Sequence, residues 1–197
     1  MINRFSFILV CLFLSACSAL SIQKQEIGQP YPDLSLYDES GAEVHLSTLK
    51  GKVLLIEPIA MGCSACQAFS GAHEYGAYGT VLPQPGLQCV QRLLGQYAGG
   101  VSLKDENVQF IQIVFLNFSL QSPTPQELSR WAKHFHLPQQ RVLVLGAPSS
   151  LSTWGKTLIP GFQLIDKDFI LRADSTGAVP KTNLYDELLP LLPVLAH

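Results

Sequence analysis

Three stretches dominated by branched and aromatic side chains predict the strands at the centre of a sheet. They cover residues 52–56, residues 107–116 and residues 141–145. An apolar run without clear alternation is typical of a strand that is buried on both faces of its sheet. We therefore expect these three segments to be the core strands of the domain.

Two further regions alternate apolar and polar positions and predict β-hairpins. Residues 34–37 and 43–46 flank a turn of the composition Asp-Glu-Ser-Gly. Residues 159–166 and 169–173 flank a second turn at Lys167 and Asp168. Short alternating runs around such turn residues are the sequence pattern of antiparallel pairs.

Helical spacing of apolar residues predicts the remaining elements. Thr124, Pro125 and Glu127 form the pattern of a capping box at the start of a helix that runs to about residue 135. Other helices are expected over residues 87–97, 149–156 and 182–192, the last of them broken by Pro190 and Pro193. Strands that alternate with helices and end in a hairpin predict an α/β fold with a central mixed β-sheet flanked by helices.

The N-terminal segment has the features of an export signal. Arg4 precedes an apolar run, and residues 14–17 read Leu-Ser-Ala-Cys, which resembles the bacterial lipobox. We expect a lipoprotein signal peptide over residues 1–16, acylation of Cys17, a lipid-anchored tether over residues 17–26, and one domain over residues 27–195. Ser18 favours the outer membrane of a bacterial envelope, facing the periplasm. The alternative is an ordinary signal peptide that happens to contain a cysteine.

Charge excludes one class of partner. The 197 residues carry a formal net charge of −2 and no basic cluster. Binding to nucleic acid relies on clustered Lys and Arg side chains, so we expect no nucleic-acid partner.

The cysteines indicate redox chemistry. If Cys11 is removed with the signal and Cys17 is acylated, then three of the five cysteines remain, two of them as the Cys63-x-x-Cys66 motif. The motif lies between a predicted strand and helix-forming residues, where unpaired backbone N–H groups stabilise a thiolate. We interpret Cys63 as an exposed nucleophile and Cys66 as its buried resolving partner, able to close a Cys63–Cys66 disulfide. The alternatives are half of a zinc site or an inert pair, and we expect no metal.

Two other side chains have open interpretations. Glu57 ends the first core strand, where desolvation would raise the pKa of its carboxyl group and suit it to proton transfer. The alternative is that Glu57 points to solvent, which the neighbouring Pro58 favours because proline fits a central strand poorly. Cys89 is either a small apolar residue on the helix over residues 87–97, or a third redox thiol or one partner of an intermolecular disulfide.

The chain resembles the thioredoxin-like superfamily from about residue 27 to about residue 192, and within it the exported TlpA/ResA-type thiol-disulfide oxidoreductases. The matching features are the Pro-rich opening at residues 28–34, the stretch Leu-Lys-Gly-Lys-Val at residues 49–53, the motif Cys63-Ser64-Ala65-Cys66, the pair Ile159-Pro160, and the strand and turn at residues 164–168.

The resemblance implies a thioredoxin-like fold with an N-terminal β-hairpin extension. It also implies that Glu57 shuttles the proton of Cys66, and that a cis Pro160 presents the backbone of Ile159 to a substrate strand. The chain departs from the family pattern in four places: Ala65 precedes the second cysteine where Pro is frequent, Phe169 stands where Gly is frequent, and two further departures lie beside the motif. Gly62 occupies the position of the usual aromatic residue before the first cysteine, and about forty residues, an apparent insertion, separate Cys66 from the next core strand.

Three functions are compatible with these residues. The first is a lipid-anchored thiol-disulfide oxidoreductase, a reductant rather than an oxidant. It would act on protein thiols and disulfides of the envelope without a cofactor, supplied by a membrane electron donor. The second is a copper metallochaperone resembling SCO proteins, in which two cysteines and a histidine would bind Cu(I). The third is a peroxiredoxin-like peroxidase, although Ala60 stands where that family has Thr.

Overall fold

The computed structural model describes residues 25–197, so the predicted signal peptide and Cys17 lie outside the described residues. One mixed sheet of seven strands runs through the domain in the order β2-β1-β5-β4-β3-β6-β7. The strands are β1 (Ser35–Tyr37), β2 (Glu43–His45), β3 (Val53–Ala60), β4 (Val108–Leu116), β5 (Leu143–Gly146), β6 (Gln163–Ile165) and β7 (Leu171–Asp174). The predicted α/β class, the three core strands and both hairpins are confirmed.

Strands β3 and β4 form the parallel centre of the sheet, and alternation along them divides the core in two. Val53, Leu55 and Ile59 of β3 belong to one buried cluster. The intervening residues Leu54 and Ile56 belong to a second cluster on the opposite face. Both faces of β3 are therefore covered, which explains why its sequence lacks polar alternation.

The first core strand extends further than the sequence predicts. We expected it to end at Ile56, whereas β3 continues through Glu57 and Pro58 to Ala60. Strand β6 pairs with β3 only over Leu54–Ile56, so Pro58 has a neighbouring strand on the β4 side alone. A proline is tolerated at such a position because no second ladder requires its missing N–H.

Within residues 25–197, six α-helices lie on the two faces of the sheet. They are α1 (Ser64–Ser70), α2 (Ala72–Tyr75), α3 (Val90–Tyr97), α4 (Pro125–His134), α5 (Ser152–Leu158) and α6 (Leu189–Ala196). Buried residues of α1, α3, α4 and α6 pack in the cluster that contains Val53, whereas α5 and the β1–β2 hairpin contribute to the cluster that contains Leu54. None of the helices within residues 25–197 has the length and apolar character that crossing a membrane requires.

The predicted capping box at the start of α4 is confirmed. The backbone N–H of Glu127 donates to Thr124 Oγ1 at 3.3 Å, and the backbone N–H of Thr124 donates to Glu127 Oε2 at 2.7 Å. Such a cap stabilises a helix by about 1 kcal/mol. The predicted apolar face of α4 is buried completely at Leu128, Trp131 and Phe135.

Helix α6 differs from its prediction. We expected Pro190 and Pro193 to break it, yet α6 runs through both residues. Pro190 lies in the first turn of α6, directly after a π-helical segment, Leu184–Leu188, so the helical path is continuous from Leu184 to Ala196. Pro193 lies inside the helix, which persists because Leu189 and Leu192 are buried against the core.

Candidate active site

The turn between β3 and α1 positions the two motif cysteines. Cys63 is the N-cap residue of α1, and its backbone is extended, with φ −91° and ψ 120°. Its Sγ accepts the backbone N–H of Cys66 at 3.2 Å. The sulfur thus takes the place of the Ser or Asp oxygen that usually caps a helix, and an unpaired N–H of the first turn points at it.

The environments of the two sulfurs differ. Cys63 is partly exposed, whereas Cys66 is buried completely. Hydrogen bonding from the thiol of Cys66, aided by backbone N–H groups of Cys66 and Ala65, lowers the pKa of Cys63 to about 7. Burial raises the pKa of Cys66, and the neighbouring Cys63 and Glu57 raise it further. Cys63 is therefore suited to be the nucleophile, and Cys66 needs a base to become one.

Glu57 is buried completely, so its alternative placement in solvent is wrong. It lies opposite Gln112 in the register of β3 and β4. Burial raises the pKa of Glu57 well above its usual value, and the charge of Cys63 acts in the same direction. The Sγ of Cys66 lies 3.9 Å from the carbonyl oxygen of Pro58, the residue that follows Glu57. The Glu57 carboxyl group and the Cys66 thiol are both buried completely, and Glu57 raises the pKa of Cys66, so the two groups lie within electrostatic range of each other.

Gln112 connects Glu57 to two further polar side chains, Ser70 and Trp131. Gln112 Nε2 donates to Glu57 Oε2 and to Ser70 Oγ, both at 2.9 Å. Trp131 Nε1 donates to Gln112 Oε1 at 2.8 Å, which fixes the orientation of the amide. Within residues 25–197, Glu57 Oε1 is buried and has no hydrogen-bond partner. One carboxyl oxygen is thus held by the protein, and the other is free to exchange a proton.

Ile159 and Pro160 lie between α5 and β6, and their peptide bond is cis. Ile159 packs against the cluster that contains Cys66. The N–H of Gly177 donates to the carbonyl oxygens of both Leu158 and Pro160, at 3.2 and 2.9 Å. Gly177 has φ +75°, and a Cβ there would lie 2.5 Å from the carbonyl oxygen of Thr157, so only glycine fits.

This arrangement leaves one extended residue unpaired. Ile159 has φ −93° and ψ 134°, and neither its N–H nor its carbonyl has a hydrogen-bond partner within the described part of the chain. An extended residue with both backbone groups free can pair with a strand from another molecule.

The segment between α1 and α3 is attached to the motif by Gln67. Gln67 Nε2 donates to the carbonyl oxygens of Met61 and Tyr78, and Gln67 Oε1 accepts the N–H of Tyr78, all at 2.9 Å. The N–H of Gln84 also donates to the carbonyl oxygen of Ser64 at 3.0 Å. The predicted insertion therefore packs against the motif and forms one wall of the candidate active site.

Cys89 does not join the motif. It is half-buried at the N-cap of α3 and opens into a cavity of about 420 Å³ that Glu74 and Arg92 also line. Burial raises the pKa of Cys89, and Arg92 forms an ion pair with Glu74 at 2.9 Å. We predicted a helical position for it, but α3 begins one residue later, at Val90.

The donor set for a metal is limited. In the part of the chain that the structure describes, no three His, Cys, Asp or Glu side chains are grouped so that they could hold a metal ion. His134 lies 3.0 Å, through Nε2, from the carbonyl oxygen of Gly76 and packs on the ring of Tyr78. The Cu(I) alternative required a histidine beside the two sulfurs, and the described residues do not provide that combination.

Several residues of the site were not identified from the sequence. Gln112 interrupts the apolar pattern of β4, and that interruption was the available signal. Gln67 and Phe118 gave no local signal, because their partners lie in other segments. The ring of Phe118 lies beside Gly62, at 3.8 Å from the point where a Cβ on Gly62 would stand.

Comparison with known proteins shows the fold. No family model matches the chain, and no curated protein matches it. A candidate electron transfer protein from Aquifex aeolicus VF5 is similar over 87% of this chain and 99% of its own, with TM-score 0.56 and 16% identity. A candidate protein disulfide isomerase from Bacteroides thetaiotaomicron is similar over 87% and 91%, with TM-score 0.54 and 16% identity.

A third similar structure is that of BsSco, a member of the Sco family of cytochrome c oxidase assembly proteins. It covers 87% of this chain and 94% of its own, with TM-score 0.51 and 18% identity. Together with the mixed seven-stranded sheet, these similarities show that the chain has a thioredoxin-like fold. Proteins with different functions share this fold, so the function of the chain has to be argued from its own site.

Proposed function

We propose that this protein is a thiol-disulfide oxidoreductase that exchanges its Cys63–Cys66 dithiol with disulfides of client proteins. The observation that carries the proposal is the pairing of the two sulfurs. Cys63 Sγ accepts the N–H of Cys66 at 3.2 Å and has a pKa of about 7, while the buried Cys66 retains its proton. Cys63 can therefore attack as a thiolate near neutral pH, whereas Cys66 stays protonated until the second step.

The exchange proceeds in two displacements. The thiolate of Cys63 attacks one sulfur of a client disulfide, which forms a mixed disulfide and releases the other client sulfur as a thiolate. Cys66 then loses its proton and attacks Cys63 Sγ, which forms the Cys63–Cys66 disulfide and releases the second client sulfur. Over both steps the client gains two electrons and two protons, and the two cysteines lose them.

Glu57 accepts the proton of Cys66 in the second displacement. Its carboxyl group is buried, and its pKa is raised by that burial, which makes it a better base than an exposed carboxylate. The free Oε1 is the atom that would take the proton, because Oε2 already accepts the N–H of Gln112.

A client strand would bind along Ile159. The two free backbone groups of Ile159 would exchange hydrogen bonds with an extended client segment, and Pro160 would fix the direction of that segment.

The direction of electron transfer proposed here is reduction of the client. Thiol pKa values near 7 are typical of reducing dithiols, whereas strongly oxidising ones lie near about 3.5. The pKa of Cys63 falls near the first of these values, and Ser64 and Ala65 add no charge that would stabilise its thiolate further. An electron donor in the membrane would return the disulfide to the dithiol.

The proposed location is the bacterial cell envelope, with a lipid anchor on Cys17 and the domain facing the periplasm. The lipobox-like residues 14–17 support it. Mass spectrometry of the membrane-extracted protein tests this proposal: an N-terminal Cys17 with acyl chains is expected, and a Cys17→Ser variant that is processed and retained at the membrane like the wild type would contradict it.

The exchange reaction is tested by trapping and by equilibration. A Cys66→Ser variant should accumulate mixed disulfides at Cys63, and a Cys63→Ser variant should not, with Cys89→Ser as the control that behaves like the wild type. Equilibration of the wild type with glutathione should give a potential between about −180 and −270 mV, the range of known reducing and isomerising dithiols. A protein that neither reduces nor oxidises any dithiol substrate would refute the proposal.

A further inference from the structure

An exposed aromatic ring lies beside Gly62, the residue that precedes the nucleophile Cys63. Phe118 follows β4, and its Cδ1 is 3.8 Å from the point where a Cβ on Gly62 would stand. Gly62 is exposed and directly precedes Cys63. The aromatic residue that is absent at position 62 is thus replaced in space by one from a distant part of the chain.

Packing fixes the position of this ring. Phe118 stacks on Tyr78, with ring centroids 5.9 Å apart and planes at 19°. Tyr78 in turn packs edge-to-face on the buried Trp131, with centroids at 5.3 Å. The ring also lies so close to Gly79 that a Cβ there would be 2.8 Å from Phe118 Cζ. Despite these contacts Phe118 remains 45% exposed, so one surface of a fixed ring faces solvent.

The loop that carries Phe118 presents a second apolar side chain. Asn117 Oδ1 accepts the N–H groups of Ser119 and Gln121 at 2.9 and 3.0 Å, and the N–H of Asn117 donates to the carbonyl of Gln121. These bonds hold Leu120 at φ +59°, a conformation that is uncommon for L side chains, with the side chain 66% exposed. A loop that is well hydrogen-bonded internally therefore holds two large apolar groups in water.

The chain segments that contain Phe118, Leu120 and Tyr78 carry no charged side chain. Residues 75–91 and residues 107–126 contain no Asp, Glu, Lys or Arg. The carboxylate in contact with the loop is that of Glu127, which accepts hydrogen bonds from Thr124 and Asn117 in the capping box. Nothing in these segments would attract the charged ends of a small disulfide such as glutathione disulfide.

We infer that Phe118 and Leu120 form a client platform, which binds an apolar side chain next to the cysteine of a disulfide-bonded polypeptide. This inference rests on the proposed function. The occupant is an extended client segment, because the platform adjoins Gly62 and Cys63 and a polypeptide can also pair with the free backbone of Ile159. Aromatic side chains, Phe among them, are enriched in the cores of protein interfaces.

The test compares two peptide disulfides of equal length, one with Leu and the other with Asp next to the reactive cysteine. The wild type should reduce the Leu peptide faster by about tenfold, the order of effect of one well-packed side chain at an interface. In Phe118→Ser the ratio of the two rate constants should fall to about twofold, whereas Phe118→Leu should retain most of it. Because the ratio of the two rate constants is compared, a change in Cys63 reactivity that affects both peptides equally cancels.

Val194→Ser is the matched control, since Val194 is an exposed apolar residue on α6. It should preserve the wild-type ratio. An unchanged ratio in Phe118→Ser, or a wild-type dimer that Phe118→Ser converts to a monomer, would overturn the inference. A wild type that reduces neither peptide nor glutathione disulfide would refute the proposed function instead, so the two failures can be distinguished.

Discussion

Gln112 Nε2 donates to Glu57 Oε2 at 2.9 Å, and this contact decides which oxygen of Glu57 carries a proton. Both Nε2 protons of Gln112 are in use, and Trp131 holds its oxygen, so the amide cannot turn around. An oxygen that accepts an N–H is a poor site for a proton of its own. When Glu57 takes up a proton, that proton is therefore expected on Oε1, which has no hydrogen-bond partner within residues 25–197.

Replacing Gln112 by Met should raise the pKa of Glu57 further. The hydrogen bond from Gln112 opposes the effect of burial by favouring the ionised carboxylate, and Met removes it at nearly constant volume. Hydrogen bonds to charged groups contribute about 1.5–3 kcal/mol, so the pH midpoint of the second displacement should rise above that of the wild type. Rapid quenching of the mixed disulfide across pH 5–9 measures that midpoint.

Gln109→Met is the matched control for this substitution. Gln109 lies on the same strand, but its amide donates to the backbone carbonyls of Phe110 and Arg141 and does not contact Glu57. The control should retain the wild-type midpoint. Equal midpoints in Gln112→Met and the wild type would show that Gln112 only fills space.

Alkylation of Cys63 should titrate with a midpoint near 7. Its thiolate is the reactive form, so the rate should be low at pH 5 and reach a plateau above pH 8. Because the thiol of Cys66 makes the largest contribution to lowering this pKa, Cys66→Ala should shift the midpoint upward, towards about 8.5. Iodoacetamide rates in a Cys89→Ser background isolate Cys63, and a midpoint that ignores the Cys66→Ala change would contradict this account.

Glu57→Gln should stabilise the fold at neutral pH but not in acid. The folded pKa of Glu57 lies above its ordinary value of 4.5, so the stability it contributes is complete below pH 4.5 and is lost as pH rises through the folded pKa. Gln has no such loss. The difference in Tm between variant and wild type should therefore grow from pH 4 to pH 8, and each 1 kcal/mol corresponds to about 2–4 °C.

Any pH-independent cost of the new amide cancels in that comparison. Calorimetry at pH 4 and pH 8 on both proteins is sufficient, in the dithiol form. A difference in Tm that is the same at both pH values would mean that the Glu57 carboxyl group has an ordinary pKa in the folded protein.

The elements that could be predicted are those whose signal is local. The apolar run of β4 and the capping box at Thr124 and Glu127 each reflect residues that are close in sequence. The pairing of Glu57 with Gln112 could not be predicted, because it depends on the register between two strands 55 residues apart. Taken alone, Pro58 favours a solvent position for Glu57, which is wrong. Pro58 fits inside β3 because β6 ends before reaching it, and this tertiary feature is not visible in the neighbouring residues.

The segment between α1 and α3, which forms the wall of the site, could not be placed from local sequence signals either. The composition of residues 72–86, rich in Gly, Pro and Tyr, predicts an irregular loop, although Ala72–Tyr75 form α2. Nothing in that composition indicates what the residues after α2 contact. Their position is set by the amide of Gln67. Glutamine is common on exposed helix surfaces, so its presence in α1 does not indicate a buried contact. Likewise, no residue near Gly62 in the sequence indicates that Phe118 lies beside it in the folded protein.

Gln67→Leu should release this wall while the core persists. Gln67 is buried, and its amide satisfies the carbonyls of Met61 and Tyr78 and the N–H of Tyr78. Leu would leave these backbone groups without partners, at a cost of about 1–3 kcal/mol for each one that stays buried. The segment over residues 76–88 should instead open to water, so that its backbone amides exchange with solvent at least about tenfold faster.

Hydrogen exchange read by mass spectrometry separates local opening from global loss of stability. In Gln67→Leu, peptides from residues 76–88 should exchange faster, while peptides from β3 and β4 should remain protected to a similar degree. Gln91→Leu is the control, because Gln91 is an exposed residue of α3. Uniformly faster exchange across β4 would contradict the prediction, since it would mean that Gln67 stabilises the whole domain rather than the attachment of this segment. Selective opening would show that one buried amide holds the wall of the site against the Cys63–Cys66 motif.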